Sequence, residues 1–162
     1  MSLLEREPVR RVQAALEAAG STSRVIELQA TARTAEDAAR ACGVDVGAIV
    51  KSLVFSHDGQ AVMALVAGDR RCDMQALKQA LGLSGEPGRA DPDLVKRQTG
   101  FTIGGVAPCG HLTPVPAAID PDLARFERLF AAAGHPHCVF ATDFDELRRI
   151  SSAVEMRSAG QG

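Results

Sequence analysis

Two nearly apolar runs, AIVKSLVF and QAVMALVAG, stand on either side of His57-Asp58-Gly59, and no other feature limits the fold of this chain so strongly. Runs rich in Val, Leu and Ile with a glycine-containing break of three residues predict an antiparallel hairpin, with Gly59 taking the positive φ of the loop. A hairpin does not stand alone in water, so the rest of the chain has to cover it. In a strand, Lys51 shares a face with Ile49, Leu53 and Phe55, while Val50, Ser52 and Val54 take the other. An ammonium on that apolar face either snorkels to water from a strand end or lines a cleft where it meets an anionic ligand.

The covering elements are helices and short strands in irregular order. PVRRVQAALEAAG predicts a helix with Pro8 in its first turn, a stripe of Val9, Val12, Leu16 and Ala19, and Gly20 as its stop. RVIELQ reads as a short strand. TAEDAARACG begins with Thr34 and Asp37 in the spacing of a capping box and closes on Gly43. DMQALKQALG sets Met74, Leu77 and Leu81 on one helical face, and DPDLVKRQTG offers Asp91 as cap with Pro92 after it. DPDLARFERLFAAAG repeats the Asp-Pro start and predicts a further helix with Leu123, Phe126 and Phe130 inward. HCVFAT is then a strand leading into DFDELRRI, a helix capped by Thr142. Hairpin and helices interleave without a βαβ rhythm, which predicts an α+β fold with a mixed sheet.

At 162 residues the chain suits one domain, 1–162, and 46% hydrophobic with 23% charged residues is the composition of an ordinary globular protein. No apolar run approaches the length of a membrane span, and MSLLEREPVRR puts charges where a signal peptide is apolar, so the expectation is a cytoplasmic protein with no membrane partner. Lys+Arg 18 against Asp+Glu 20 gives a net charge of −2, which excludes the broad basic field of a duplex DNA binder. Trp and Tyr are absent and Phe numbers 6, which argues against a ladder of stacked bases.

The segment TGFTIGGVAPCGHLTPVPAAID is the least like ordinary core. Its glycines and prolines predict a stiff, tightly turned loop that lets backbone amides approach a ligand, or simply a structural turn. It is not a phosphate loop, because His111 and Leu112 replace the Lys and Ser/Thr, and Pro114 and Pro116 preclude the helix. Cys42, Cys72, Cys109 and Cys138 form no CxxC pair. Cys109 with His111, and His135, His137 and Cys138 in GHPHC, carry zinc-ligand chemistry without a zinc spacing, so no metal and no cofactor is expected. A Cys109 nucleophile has histidines in the chain to serve as base but no local signature.

Taken together and in order, TAEDAARACGVDVGAIVKSLVF, TGFTIGGVAPCGH and the late segment through Gly134 to FATDFDELRRI resemble the YbaK/prolyl-tRNA synthetase-associated domain family, from about Val25 to Ile150. The resemblance implies a curved, mixed, largely antiparallel sheet flanked by helices, and an aminoacyl-tRNA deacylase that hydrolyses a small mischarged amino acid from tRNA, most typically tRNA(Pro). It assigns Lys51 to the acceptor end, with Ser52 and Phe55 of the same strand as substrate contacts. It assigns Gly104 and Gly105 to the ester carbonyl, Pro108 to the same loop, and His137 to the pocket. The partners implied are the tRNA acceptor end and prolyl-tRNA synthetase. With no class II synthetase segment beside it, the domain is expected to act in trans. Ala30 and Thr31 stand where cysteine-preferring members carry an aromatic residue, which sets cysteine preference in doubt. The competing readings are a non-catalytic module that grips a tRNA acceptor end or a synthetase, and a metal-dependent hydrolase built on Cys109, His111 and His137.

Overall fold

The computed structural model describes residues 2–29 and 32–157. The predicted hairpin forms its centre: β2 (Ile49–His57) and β3 (Gln60–Ala67) pair along their whole length, from Val50↔Ala67 to His57↔Gln60. The loop is one residue tighter than expected. His57 still pairs, and Asp58 and Gly59 make the turn alone with φ of 51° and 76°, the two positive values that match the strands' twist.

Around this hairpin lie β1 (Ile26–Glu27), β4 (Gly88–Arg89), β5 (Ala117–Ile119), β6 (Leu129–His135), β7 (Cys138–Thr142) and β8 (Val154–Glu155), in the order β1-β7-β6-β2-β3-β5-β8 with β4 also on β2. The sheet is mixed and open: β2/β3, β6/β7, β1/β7 and β2/β4 are antiparallel, β2/β6, β3/β5 and β5/β8 parallel. Helices α1 (Glu7–Ala18), α4 (Pro92–Thr99) and α5 (Phe144–Ser151) cover one face through Val9, Val12, Leu16, Leu94, Val95 and Leu147. The other face carries α2 (Ala35–Cys42) over Ile49, Phe130 and Val139, and α3 (Met74–Leu81) over Ala64, Val66 and Ala118. Because β3 is covered on both faces, it reads as a continuous apolar run rather than an alternating one.

Local chemistry sets most helix ends. Thr34 accepts from the Asp37 N–H at 3.0 Å and Asp91 from Leu94 at 2.9 Å, while Gly43 and Gly100 close α2 and α4 with positive φ. The cap of α5 is Asp143, which accepts from the Glu146 N–H at 2.8 Å. Thr142 instead donates to the Glu146 carboxylate at 2.7 Å. The helix expected over 120–134 is not formed. Pro121–Arg125 makes a short 3-10 turn and β6 starts at Leu129, since Leu129–Ala133 pairs with both β2 and β7 in the centre of the sheet, where tertiary pairing overrides the helix propensity of alanine. Strand β5, three buried residues at the end of the glycine-rich segment, gave no periodic signal of its own.

Candidate active site

The sheet is split beside Lys51. One edge of β2 is filled by β3, and the other pairs with β6 only at Ile49↔Phe130 and Val50↔Ala131, then with β4 at Phe55↔Arg89 and Ser56↔Gly88. Between these contacts the edge is open. Strand β6 leaves because its register shifts between Ala132 and His135. There Gly134, at φ 93°, lies so close to the first turn of α1 that a Cβ would stand 2.9 Å from the Pro8 carbonyl. The Gly134 N–H is drawn to the Gly105 carbonyl instead, at 3.0 Å.

The split forms a cleft of about 330 Å³. Its walls are Ile49–Leu53 of β2, Phe130–Ala132 of β6 with Pro136 and Val139, the loop residues Ile103, Gly104 and Val106, and the start of α2 with Ala32 and Arg33 before it. Lys51 answers the question posed by its position. Ile49 packs under α2 and Leu53 and Phe55 under α3, so Lys51 emerges in the interval between the two helices. Its ammonium donates to the Arg70 carbonyl at 2.5 Å, which leaves two N–H donors for a ligand.

Ser52 supplies the second polar element. Its Oγ is buried without a hydrogen-bond partner among the described residues, on the face of β2 that it shares with Val50 and Val54, opposite Lys51. An unpaired buried hydroxyl carries a cost in stability, and what Ser52 offers the cleft is its backbone. The ladder alternates, and with His57↔Gln60 as the closing pair and Ile49 accepting from Gly68, the odd-numbered residues bond to β3. The N–H and C=O of Ser52 therefore turn toward the side that β6 has left. An ammonium and an open strand edge meet on one apolar space.

Of the residues expected at the site, Lys51, Ser52 and Gly104 meet in the cleft, and the others do not line it. Gly104 is exposed at the rim with φ 96°, its nearest neighbour for a Cβ being Pro136 Cγ at 3.7 Å. Gly105 stands behind it. Its N–H is spent on the Thr102 carbonyl at 3.0 Å, and a Cβ would press on the His135 Cα at 2.9 Å, so Gly105 joins loop to β6 rather than presenting an amide to a ligand. Phe55 packs with the α3 cluster, because β2 has passed the cleft by then. Pro108 is buried and lines a separate groove with Cys109 and His111, four residues along the loop from Gly104. His137 lies in the β6–β7 turn, its N–H donating to His135 Nδ1 at 3.1 Å and its carbonyl accepting from Leu28. Arg70 and Lys78 are paired with Asp122 and Glu86. Ala30 and Thr31 lie outside the described residues.

Sequence reasoning missed Arg33, Ile103, Ala131, Ala132 and Pro136. Alanines in a buried strand carry no chemical signal, but Ile103, 58% exposed beside two glycines, is the kind of apolar side chain a binding loop displays. The residues with the most conspicuous chemistry are silent. Burial pushes the Cys109 thiol up to about 12, and Cys72 and Cys138 to about 11, so none is held as a thiolate. Burial also lowers the pKa of His111, whose Nε2 sits 2.7 Å from the Ala107 carbonyl. Among the described residues no three His, Cys, Asp or Glu side chains converge as metal ligands.

A family model for the aminoacyl-tRNA editing domain matches residues 29–150. This chain belongs to that family. A protein named YwhH from Bacillus subtilis is 33% identical over 128 residues, 78% of this chain and 80% of that one. A proline–tRNA ligase from Solidesulfovibrio magneticus is 30% identical over 80% of this chain, which spans only 22% of the ligase. The crystal structure of a candidate trans-editing enzyme for prolyl tRNA synthetase superposes with a TM-score of 0.85 at 40% identity, covering 94% of this chain and 99% of that one. No helix of the described residues is long and apolar enough to cross a membrane.

Proposed function

We propose that this editing domain is an aminoacyl-tRNA deacylase acting in trans, which hydrolyses the ester of a small non-cognate amino acid on tRNA, tRNA(Pro) above all. The observation that carries the reading is the split beside β2. It is an apolar space with one ammonium and one open strand edge, and among the described residues it holds no activated nucleophile. Such a site suits a substrate that is already activated. Water attacks the ester carbonyl, the tetrahedral oxyanion collapses with release of the ribose oxygen, and a proton returns to that oxygen, leaving free amino acid and tRNA. Positioning and hydrogen-bond donors carry most of such a reaction.

Lys51 holds the phosphate or carbonyl at the acceptor end with its two remaining donors. The edge N–H and C=O of Ser52, with the amide of Gly104 at the rim, bond the carbonyl and the amino group of the substrate. The neighbouring ribose hydroxyl orients the water, a role for which no side chain of the cleft stands out. Ala131, Ala132 and Val106 offer an apolar surface on which a small aliphatic side chain can rest. The likeness to a candidate trans-editing enzyme for prolyl tRNA synthetase over nearly its whole length supports action in trans, with the synthetase as partner. A net charge of −2 is compatible, because only the single-stranded end of the tRNA enters.

A panel of tRNAs charged with alanine, serine, cysteine or 2-aminobutyrate, incubated with the protein with and without chelator, tests this reading. Release of a small amino acid from tRNA(Pro), unaffected by chelator, is expected. Binding without release would make the protein a gripping module, and chelator-sensitive release a metal enzyme.

A further inference from the structure

Lys51 does not find its own orientation. Its ammonium is tied to the carbonyl of Arg70, which lies in the turn between β3 and α3, where the Arg70 N–H bonds back to Ala67 at 3.0 Å. That turn is clamped from outside. The Arg70 Nε donates to Asp122 Oδ2 at 2.8 Å, Arg125 reaches the same carboxylate oxygen at 3.0 Å, and the other arm of Arg125 donates to Asp69 at 2.8 Å. Arg125 thus bridges both residues of the turn to the segment before β6.

The guanidinium is itself held. It stacks 4.8 Å above the Phe126 ring and its Nη2 lies against Gly47, just before β2, where a Cβ would come within 2.9 Å of it. Gly47 admits the arginine and its ring because it has no side chain. The start of β2, the turn that bonds Lys51 and the chain entering β6 meet at this one side chain.

We propose that Arg125 is a positioning residue for Lys51, acting through Asp69, Asp122 and the Arg70 carbonyl. The functional part of this proposal rests on the deacylase reading, in which Lys51 serves the site. Ion pairs with side chains 27 to 54% exposed add little to stability, so a network placed here is better explained by what it fixes. Its fork geometry matters, since one lysine cannot bridge Asp69 and Asp122 as a guanidinium does.

The chain has three lysines, Lys51, Lys78 and Lys96, so the ammonium groups of protein labelled with nitrogen-15 lysine can be followed one by one by NMR, with Lys51→Met assigning its signal. In the unaltered protein the Lys51 ammonium should be more restricted and slower to exchange than that of exposed Lys96. Arg125→Gln should bring it to the level of Lys96 and lower kcat on mischarged tRNA by about 10- to 100-fold with KM little changed, while the melting temperature moves by about 3 °C or less. Arg125→Lys should restore part of both readouts, and Asp69→Asn, which removes one arm, should act in the same direction if Arg125→Gln folds poorly. An unchanged Lys51 ammonium in Arg125→Gln, or a loosened one with unchanged kcat, would overturn the proposal. Full activity of Lys51→Met would instead sink the deacylase role of Lys51, and the ammonium measurement would still decide whether Arg125 fixes it.

Discussion

The two halves of the glycine-rich segment carry opposite kinds of residue and ended in opposite places. Residues 108–111 hold a cysteine and a histidine, yet this half is mostly buried, its thiol is pushed up to about 12, and its imidazole is satisfied by a backbone carbonyl. Residues 103–106 offer only Ile, Gly, Gly and Val, and this half forms a wall of the cleft. Reactive side chains are therefore a poor guide here. On the proposed deacylase reading, the site works on an activated ester by positioning, and backbone, shape and one charge are what such a site needs. Even the adjacent glycines differ: Gly104 is required by its φ of 96°, Gly105 by the backbone of His135 against it.

The largest effect should come from Gly105. Gly105→Ala forces a Cβ against a backbone that cannot swing aside, so about 3 kcal/mol or more of stability should be lost in denaturant titration, with activity falling only as the folded fraction does. Normal stability in this variant would erase the distinction between the two glycines. Next is Lys51→Met, which keeps the apolar stem and removes the charge. Deacylation should fall by roughly 100-fold while the circular dichroism spectrum and melting temperature persist. Lys51→Arg should rescue poorly because a planar guanidinium is broader than an ammonium.

Gly104→Ala should be milder. There is room for its Cβ, but a positive φ costs an L residue about 1–2 kcal/mol, and reshaping of the rim should lower kcat more than tRNA affinity. Equal loss of affinity would make this half a grip. The smallest effects belong to the buried half. Cys109→Ala should leave turnover unchanged and cost about 1 kcal/mol. His111 has a folded pKa below its ordinary 6.5, so the unfolded chain takes up the proton first. Its contribution to stability is full above that value and is lost as pH falls toward the lowered folded one. His111→Gln should flatten the stability profile below about pH 6.5. An unchanged acid limb would show that the ring is not held neutral by the fold.

Features that depend on a few consecutive residues could be read from the sequence. The hairpin, the Thr34 and Asp91 caps, the Gly43 and Gly100 stops and the face on which Lys51 lies all rest on local sterics and on a two-residue period, and all are present. The family was legible as an ordered set of such motifs. What depended on neighbours distant in the chain was not. Leu129–Ala133 has the composition of a helix and becomes a central strand because β2 and β7 flank it. The cleft opens where β6 turns away at Gly134 toward α1, some 125 residues earlier in the chain, and that departure leaves the edge of β2 beyond Val50 without β6. Side-chain type and spacing thus decided which residue carries the charge and on which face. Where that charge finds an open edge, and which carbonyl holds it, was decided by how strands from opposite ends of the sequence pair and part.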